Sequence, residues 1–485
     1  MNGDERQFPL PANTPPRQDL NAIIAAMTAA IDPSSVVRNR LSLGQPTDQL
    51  RCDGQPVSVA SGVPLDLDRL NRIVVVGGGK AAAGFAAGLE ELLGPKRLAQ
   101  HQVVGLVSVP EGCSLPLRQI EVRETRPSGA NLPTTAVIAA TGEMLAMLSQ
   151  LGPDDLAIVL ITGGGSALLE APVEGISLEL LTRMTQQLAT AGADITTINT
   201  VRRVASRVKG GGLATACTAG RLLAVVLSDV IGDDLGTIAS GPCLPTAIDV
   251  DGLVALLTRF DITATDRELL LRAATHASGH RPPPAPDRSG YWTTPAGCRV
   301  GHLLLGSNAT AVEAAVTAAE ACGYQVVSAD TVTTAETADD VGGRLARRGR
   351  KLMAASRQDG QPRAIVEGGE ATVVVPTDHG RGGRNQQTVL AAAADILATG
   401  EDWPTSLLLA SFGTDGEDGP TSAAGGFIDS PVATRLSRQS MTLKRAIDRC
   451  DAHPLLAAAG GLIETGPTGT NVADVRLVLV RPRPT

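Results

Sequence analysis

Residues 156–166 read "LAIVLITGGGS", an apolar run that ends in three glycines and a serine. The run is continuous rather than alternating, which indicates a strand covered on both faces. The glycines have two interpretations. They form a tight strand-to-helix turn, or they leave backbone N–H groups bare to bind an anion beside a helix N-terminus.

Short apolar runs alternate with Ala/Leu-rich helical patterns on both sides of this stretch. "RIVVVGGG" (72–79) precedes "KAAAGFAAGLEELLG" (80–94), and "ISLELLTRMTQQLATAG" (176–192) comes before "RLLAVVLSDV" (221–230). Strands that alternate with helices predict a doubly wound, Rossmann-like α/β domain with a parallel sheet. Ligands of such sheets bind beyond the carboxyl ends of the strands, where the glycine-rich turns fall.

A chain of 485 residues is long enough for two domains. Residues 1–17 are polar and Pro-rich, as is typical of a disordered tail, and the Pro-rich segment 281–297 is typical of a linker. We therefore expect a Rossmann-like domain at 18–280 and a smaller α/β domain at 298–485.

Composition excludes several classes of function. The net charge is −8 and aromatic residues are 2% of the chain, so neither a phosphate backbone nor stacked bases would be recognised well. We expect no nucleic-acid partner, no membrane partner and a cytoplasmic location, because neither a signal peptide nor an apolar run of ~18 residues is evident. The seven cysteines contain no CxxC pair, so a zinc ribbon is not expected.

Lys80 follows the glycines of "VVVGGGK" (74–80) at the start of a predicted helix, where an anion would be favoured. The same glycines form a weak G-x-G-x-x-A match, which leaves an NAD(P)-dependent reductase open. An acidic residue for the ribose is missing from the expected position about 20 residues on.

Charged residues collect at other predicted strand ends. Asp229 and Asp233 in "SDVIGDDLGTIASGP" (228–242) could bind Mg²⁺, or could cap an acidic turn. Arg384 in "GRGGRNQQ" (380–387) could hold a carboxylate or a phosphate. The cations of "INTVRRVASRVKGGGLA" (198–214) fit either a solvated helix face or an anion site.

At these motifs the sequence resembles the glycerate 2-kinase family, the type II glycerate kinases also labelled hydroxypyruvate reductases. The resemblance runs in order from "GGGKAAAGFA" through "TGGGSALLEAPVEGISL" and "GGRNQQTVLA" to "GTDGEDGPTSAAGG" and "TGPTGTNVADV". It implies two α/β domains with the active site in the cleft between them. It also implies transfer of the γ-phosphoryl group of ATP to the 2-hydroxyl of D-glycerate, giving 2-phosphoglycerate, with Mg²⁺ as cofactor.

The resemblance assigns catalytic roles to Lys80, Arg384, Asp229 and Asp233, the two aspartates also being the metal ligands. The positions that match binding residues form two groups: Gly163, Gly164, Gly165, Ser166, Lys209 and Asn308 for the nucleotide phosphates, and Ser166, Asn199, Arg203, Asn385 and Asp415 for the hydroxy acid. The sequence leaves a homodimer open.

Several polar positions depart from the family pattern, while the glycines are kept. The departures are Arg126 for a histidine, Gly212 for an arginine, Gln387 for a glutamate, and Ser422 and Thr246 for aspartates. Because these side chains are of the type that binds substrates, we expect a divergent member that acts on a related hydroxy acid or polyol. A member with altered chemistry is the remaining alternative.

Overall fold

The computed structural model describes residues 15–127, 132–279, 286–287, 290–334, 336–398, 400, 402–438 and 440–482. Residues 1–14 of the predicted tail lie outside the described residues. Residues 281–285 and 288–289 of the predicted linker also lie outside them. The chain divides into two compact units, Pro33–Leu305 and a second unit that combines Met1–Asp32 with Gly306–Thr485.

The α-helices of the described residues are α1 (Pro15–Ala30), α2 (Pro33–Arg40), α3 (Ala82–Gln100), α4 (Thr135–Ser149), α5 (Gly165–Leu168), α6 (Leu178–Thr190), α7 (Ile195–Ala205), α8 (Gly212–Thr215), α9 (Val250–Arg259), α10 (Ala264–Gly279), α11 (Asn308–Ala321), α12 (Ala338–Asp359), α13 (Arg384–Leu397), α14 (Ser430–Ser437), α15 (Ser440–Asp448) and α16 (Ala452–Ala459). Two 3₁₀ turns add Leu67–Arg69 and Ile238–Ser240.

The strands are β1 (Leu41–Leu43), β2 (Leu50–Cys52), β3 (Gln55–Pro56), β4 (Ser58–Ala60), β5 (Val63–Pro64), β6 (Ile73–Gly78), β7 (Val104–Pro110), β8 (Ile120–Arg126), β9 (Leu156–Ile161), β10 (Arg221–Leu227), β11 (Trp292–Thr293), β12 (Arg299–Gly306), β13 (Gln325–Val332), β14 (Arg363–Gly369), β15 (Leu407–Gly413), β16 (Gly425–Ile428), β17 (Leu462–Ile463) and β18 (Asp474–Val480).

The larger unit is built on a seven-stranded sheet in the order β11-β12-β10-β9-β6-β7-β8. The neighbours from β10 to β8 pair in parallel. Taken in chain order, these five strands lie 5-4-1-2-3 across the sheet, so the direction of winding reverses between β6 and β9. The predicted doubly wound α/β fold is therefore confirmed, and the reversal marks where such sheets bind ligands.

The central strands are buried on both faces, as their continuous apolar sequences predict. Val74 and Val76 belong to one core cluster together with residues of α4, while Ile73 and Val75 are also at most 1% exposed. Successive side chains of a strand point to opposite faces, so helices must cover both faces of this sheet.

Gly77 and Gly79 are required by the close approach of β6 to β9. A Cβ atom on Gly77 would lie 2.2 Å from the carbonyl oxygen of Leu160, and one on Gly79 would lie 2.0 Å from Thr162 Oγ1. Both have positive φ values, which any other residue adopts at a cost. Packing alone therefore accounts for these two glycines.

The smaller unit contains a six-stranded sheet in the order β13-β14-β18-β15-β16-β17. Only β13 and β14 pair in parallel, and the other neighbours are antiparallel. The carboxyl ends of β14 and β15 meet the first residue of β18, because Asp474 is opposite both Gly369 and Gly413. This end of the sheet carries the charged residues described below.

The observed division differs from the predicted boundaries at both ends of the larger unit. Helix α1 packs against α11 of the smaller unit, and its Arg17 pairs with Asp429, the residue before α14, through buried side chains. Strand β12, predicted to open the second domain, instead lies beside β10. The Pro-rich segment therefore precedes the last strand of the first sheet.

Within the described residues, no single helix combines the length and apolar character needed to cross a membrane. The bent pair α1 and α2 passes that test only when the two helices are taken together, by length and composition.

Candidate active site

The turn that carries Lys80 is fastened to the glycine loop after β9. The Lys80 N–H donates to the carbonyl of Gly163 (3.0 Å), and the Ala81 N–H donates to Thr162 Oγ1 (3.1 Å). The sequence places these two loops 80 residues apart, and the parallel pairing of β6 with β9 brings them together. They meet where the winding of the sheet reverses.

The glycine loop is less bare than the sequence predicts. Gly164 has a φ of +77° and donates its N–H to Asp229 Oδ2 (3.2 Å), while the Gly165 N–H donates to the carbonyl of Thr162 (3.0 Å). Two predicted phosphate-binding amides thus already have protein acceptors. The bond from Gly164 also holds Asp229, which follows β10, directly at the loop.

Ser166 begins a chain of side-chain hydrogen bonds that ends at Asn199. Its hydroxyl lies 2.7 Å from the hydroxyl of Ser240, which donates to Asn199 Oδ1 at 3.0 Å. Ser240 is fully buried and Asn199 is 3% exposed. The structure therefore brings together two predicted site residues through Ser240, which the sequence analysis did not select.

Ser240 belongs to a backbone segment in an unusual conformation. Ala239, Ser240 and Gly241 have φ values of +50°, +62° and +66°. Non-glycine residues adopt such values infrequently, and they cluster at functional sites. The "TIASGP" sequence signals a turn through its Gly-Pro, but it does not reveal that the serine faces Ser166.

The acidic turn after β10 contains a cap as well as the predicted ligands. Asp234 accepts from the Gly236 N–H (3.3 Å) and from the hydroxyl of Thr237 (2.5 Å). Asp233 has a φ of +55°. Arg203 donates to the Gly236 carbonyl (2.6 Å), and burial lowers the pKa of its guanidinium.

Lys209, which the resemblance assigns to the nucleotide phosphates, is paired with a carboxylate inside the larger unit. It is 3% exposed and its ammonium group pairs with Glu170, with a further bond of 3.2 Å to the carbonyl of Leu169. In this structure the charge of Lys209 is therefore neutralised by a protein carboxylate. Burial lowers the pKa of Lys209, and the Glu170 carboxylate opposes that shift.

Arg126, at the end of β8, is a charged neighbour of the glycine loop. It is 2% exposed, and its Nη2 lies 3.8 Å from where a Cβ atom on Gly164 would be. The family resemblance drew attention to this position only as a departure. The structure places the substituted residue against the predicted phosphate loop.

Arg384 of the smaller unit is held by two carboxylates. Its Nε and Nη2 donate to Asp474 at 2.6 and 2.9 Å, and Nη1 lies 3.0 Å from Glu370 Oε1. Burial opposes a high pKa for Arg384, but the carboxylate of Asp474 raises it above the ordinary value. The sequence analysis selected neither carboxylate residue.

A pocket of about 290 Å³ adjoins Arg384. Its wall combines apolar side chains with the loop before α13, and includes Val373, His379, Pro420 and Cys450. The guanidinium of Arg384 can bind an anionic group of a ligand in such a pocket, while the apolar wall contacts the carbon atoms of the same ligand.

Asn385 and Asn308 serve the scaffold of the smaller unit. Asn385 contacts Asp418 through its backbone N–H (3.0 Å) and accepts from Ser411, and it is 2% exposed. Asn308, 4% exposed, donates to the carbonyls of Val472 and Asp474. The ligand-binding roles of these two residues stay predictions.

Asp415 remains partly exposed at the end of β15. Its Oδ1 accepts from the Glu417 N–H at 3.0 Å and lies 3.1 Å from where a Cβ atom on Gly413 would be. The same position on Gly413 lies 3.5 Å from Asp474 Oδ1. Asp415 is therefore beside the carboxylate that holds Arg384.

Two groups of predicted residues result, one in each unit. The larger unit assembles Lys80, the glycine loop, Asp229 and the chain from Ser166 to Asn199. The smaller unit assembles Arg384 and Asp415 around Asp474. Among the described residues, no group of three or more His, Cys, Asp or Glu side chains is arranged to hold a metal ion.

Family comparison covers both units. Residues 19–271 match the family described as "Domain of unknown function (DUF4147)", and residues 363–474 match the MOFRL family. The first match begins at residue 19, before the first motif of the resemblance at 77–86, and the second ends at 474, within the last motif.

Curated relatives cover most of the chain. The glycerate kinase of Homo sapiens is 33% identical over 85% of this chain and 85% of its own length. The D-glycerate 2-kinase of Thermotoga maritima is also 33% identical, over 85% of this chain and 91% of its own. A crystal structure of glycerate kinase from the same organism matches with a TM-score of 0.74 and 29% identity, covering 96% of this chain and 99% of that one.

Proposed function

The chain belongs to the glycerate kinase family and is a kinase, and from this premise we propose that it phosphorylates D-glycerate with ATP. The product would be 2-phosphoglycerate. One observation carries the proposal: the Lys80 turn, the glycine loop and Asp229 are hydrogen-bonded together where the winding of the sheet reverses. A cation, backbone amides and a carboxylate are the groups that phosphoryl transfer uses.

In this proposal Lys80 neutralises charge on the transferring phosphoryl group. The loop from Gly163 to Gly165 lies along the phosphates, with the Gly163 N–H as the proposed donor, because the N–H groups of Gly164 and Gly165 donate within the protein. Arg384 binds a carboxylate or phosphate oxygen at the edge of its pocket. Glu370 is half exposed, whereas Asp474 is fully buried, so the contact with Glu370 is the one that a ligand anion would replace.

Asp229 is the residue that best fits a magnesium ion. Its Oδ2 accepts from the Gly164 N–H, which places the carboxylate beside the loop proposed for the phosphates. Mg²⁺ is usually held by one or two carboxylates together with phosphate oxygens and water, so a dedicated cluster is not needed. When bound, the ion would neutralise phosphate charge, and Asp233 is the second candidate ligand.

The reductase alternative lacks support. The relatives reported above are named kinases, and Gly77 and Gly79 of the weak dinucleotide match are explained by the packing of β6 on β9. A thermal-shift experiment compares ATP with Mg²⁺ against NADH. We expect ATP with Mg²⁺ to raise the Tm and NADH to leave it unchanged.

The acceptor is tested by ³¹P NMR on the intact protein with ATP, Mg²⁺ and a panel of hydroxy acids and polyols that includes D-glycerate. We expect 2-phosphoglycerate from D-glycerate, and a reduction in kcat of about 10²–10³-fold in Lys80→Ala. Lys96→Ala, which removes an exposed lysine of α3, is the matched control. A product from another acid but not from D-glycerate would overturn the assignment of the acceptor, and the substituted positions would then explain the change.

A further inference from the structure

We propose that Ser240 is a positioning residue that makes Ser166 a hydrogen-bond acceptor for the substrate hydroxyl. Ser240 acts through Ser166 and does not touch the substrate. This inference rests on the proposed kinase function, and it names the substrate group that the site recognises: the alcohol that receives the phosphoryl group.

The hydrogen-bond chain fixes the direction of each proton. A serine hydroxyl has one proton and two lone pairs, and a carbonyl oxygen such as Asn199 Oδ1 can only accept. Ser240 donates to Asn199 Oδ1 at 3.0 Å, so its proton is used there. The 2.7 Å contact between the two serines must therefore use the proton of Ser166.

Ser166 consequently presents lone pairs and no proton to a ligand. Phosphate oxygens are acceptors, so such a hydroxyl is a poor partner for the nucleotide. An alcohol has one proton to donate, and donating it to Ser166 Oγ leaves the alcohol's own lone pairs directed elsewhere, as attack on phosphorus requires. The contact orients the alcohol, and no proton is transferred to Ser166.

The backbone holds Ser240 in place for this contact. Three consecutive positive φ values carry the serine into the interior, where it is fully buried. The Gly210 N–H donates to the Ser240 carbonyl (3.1 Å), and the Gly211 N–H donates to the Gly241 carbonyl (2.8 Å). These bonds keep the hydroxyl beside the start of α5, where Ser166 lies.

The kinetic test compares Ser166→Ala, Ser240→Ala and the double variant with wild type. Loss of one hydrogen bond predicts a rise in the KM for D-glycerate of about tenfold in Ser240→Ala, with the KM for ATP changed less than about twofold. Because Ser240 acts through Ser166, the double variant should be no worse than Ser166→Ala. Additive losses, or a rise in the KM for ATP instead, would overturn the inference.

Inhibition by 3-hydroxypropionate, which lacks the 2-hydroxyl, separates orientation from folding. Its Ki should be the same in wild type and Ser240→Ala, because it offers no proton at the reacting position. A Ki that rises with the KM for D-glycerate would indicate a general distortion and overturn the inference.

Ser240→Gly removes the same hydroxyl and tolerates the positive φ, so it replaces Ser240→Ala if that variant fails to fold. Thr218→Ala is the control, since it also removes one hydroxyl, which donates to the carbonyls of Leu148 and Leu151. A wild-type enzyme that phosphorylates no acid in the panel would overturn the proposed function, and this inference with it. If wild type is active and Ser240→Ala has the same KM for D-glycerate, the inference is overturned but the proposed function is not.

Discussion

Lys209 illustrates how burial decides what a single charged residue can do. Its ammonium group is paired with Glu170 in the interior of the larger unit. Removing one partner of a buried pair leaves an uncompensated charge, which costs about 3–5 kcal/mol of the free energy of unfolding. We expect Lys209→Met to lose stability by this amount, as measured by urea denaturation.

The double variant Lys209→Met/Glu170→Leu provides the matched control. An apolar pair of similar size should recover most of the lost stability, and it should leave the KM for ATP unchanged. A raised KM for ATP in the stable double variant would instead support the phosphate-binding role that the sequence predicted.

The sequence locates loops better than it assigns single side chains. Lys80, Gly164 and Asp229 follow strands at recognisable glycine turns, and the structure joins their loops. In the sequence, Lys209 cannot be distinguished from a lysine such as Lys80 that follows a strand. Its partner Glu170 lies 39 residues away, and only the fold makes them neighbours. Ser240 has a still weaker signal in the sequence, because its role depends on a backbone conformation that the presence of a serine does not indicate.

Helix α13 depends on Asp418 for the satisfaction of its first N–H groups. The carboxylate accepts from the backbone of Asn385 (3.0 Å) and Gln386 (2.8 Å) and from the Gln386 side chain. Burial raises the pKa of Asp418 to about 6, with Asp474 contributing, although the backbone bonds oppose the shift. The cap of α13 is therefore sensitive to pH.

The sign of this effect follows from the raised pKa. A carboxyl with a folded-state pKa above its unfolded value contributes stability that is complete below about pH 4 and is lost as the pH rises through about 6. Relative to Asp418→Asn, wild type should lose about 2 kcal/mol of unfolding free energy between pH 4 and pH 7. Denaturation of both proteins across this range measures the difference, and parallel curves would contradict the raised pKa.

Strands could be predicted from the sequence where both faces of a sheet are buried. The parallel strands of the larger unit are apolar throughout because helices cover both faces, and this pattern is visible in the sequence. Strands β15 and β18 of the smaller unit are equally buried, with every residue inside. Their sequences therefore do not reveal that they pair antiparallel, which depends on how the chain returns to the sheet.

The division of the whole chain was harder to predict than its two α/β regions. Composition identifies a Pro-rich segment, but strand β12 beyond it still completes the first sheet. Helix α1 joins the smaller unit through contacts such as Asp19 with Arg481, 462 residues apart. Composition marks where a chain has little regular structure, whereas the units are defined by pairings between distant segments.

Lys80 belongs to the larger unit and Arg384 to the smaller one, and the proposed reaction needs both. Because both side chains are assigned to one step of the proposed reaction, losing either should remove most of the benefit of the other. We expect kcat/KM to fall about 10²–10³-fold in Lys80→Ala and in Arg384→Ala, and the double variant to fall by much less than the product of the two. Steady-state kinetics with ATP and the identified acceptor measure this coupling, and Arg381→Ala, an exposed arginine of the same loop, is the control for Arg384. Effects that multiply would contradict this coupling, and Arg384 would then be assigned to the carboxylate of the substrate rather than to the transferring phosphoryl group.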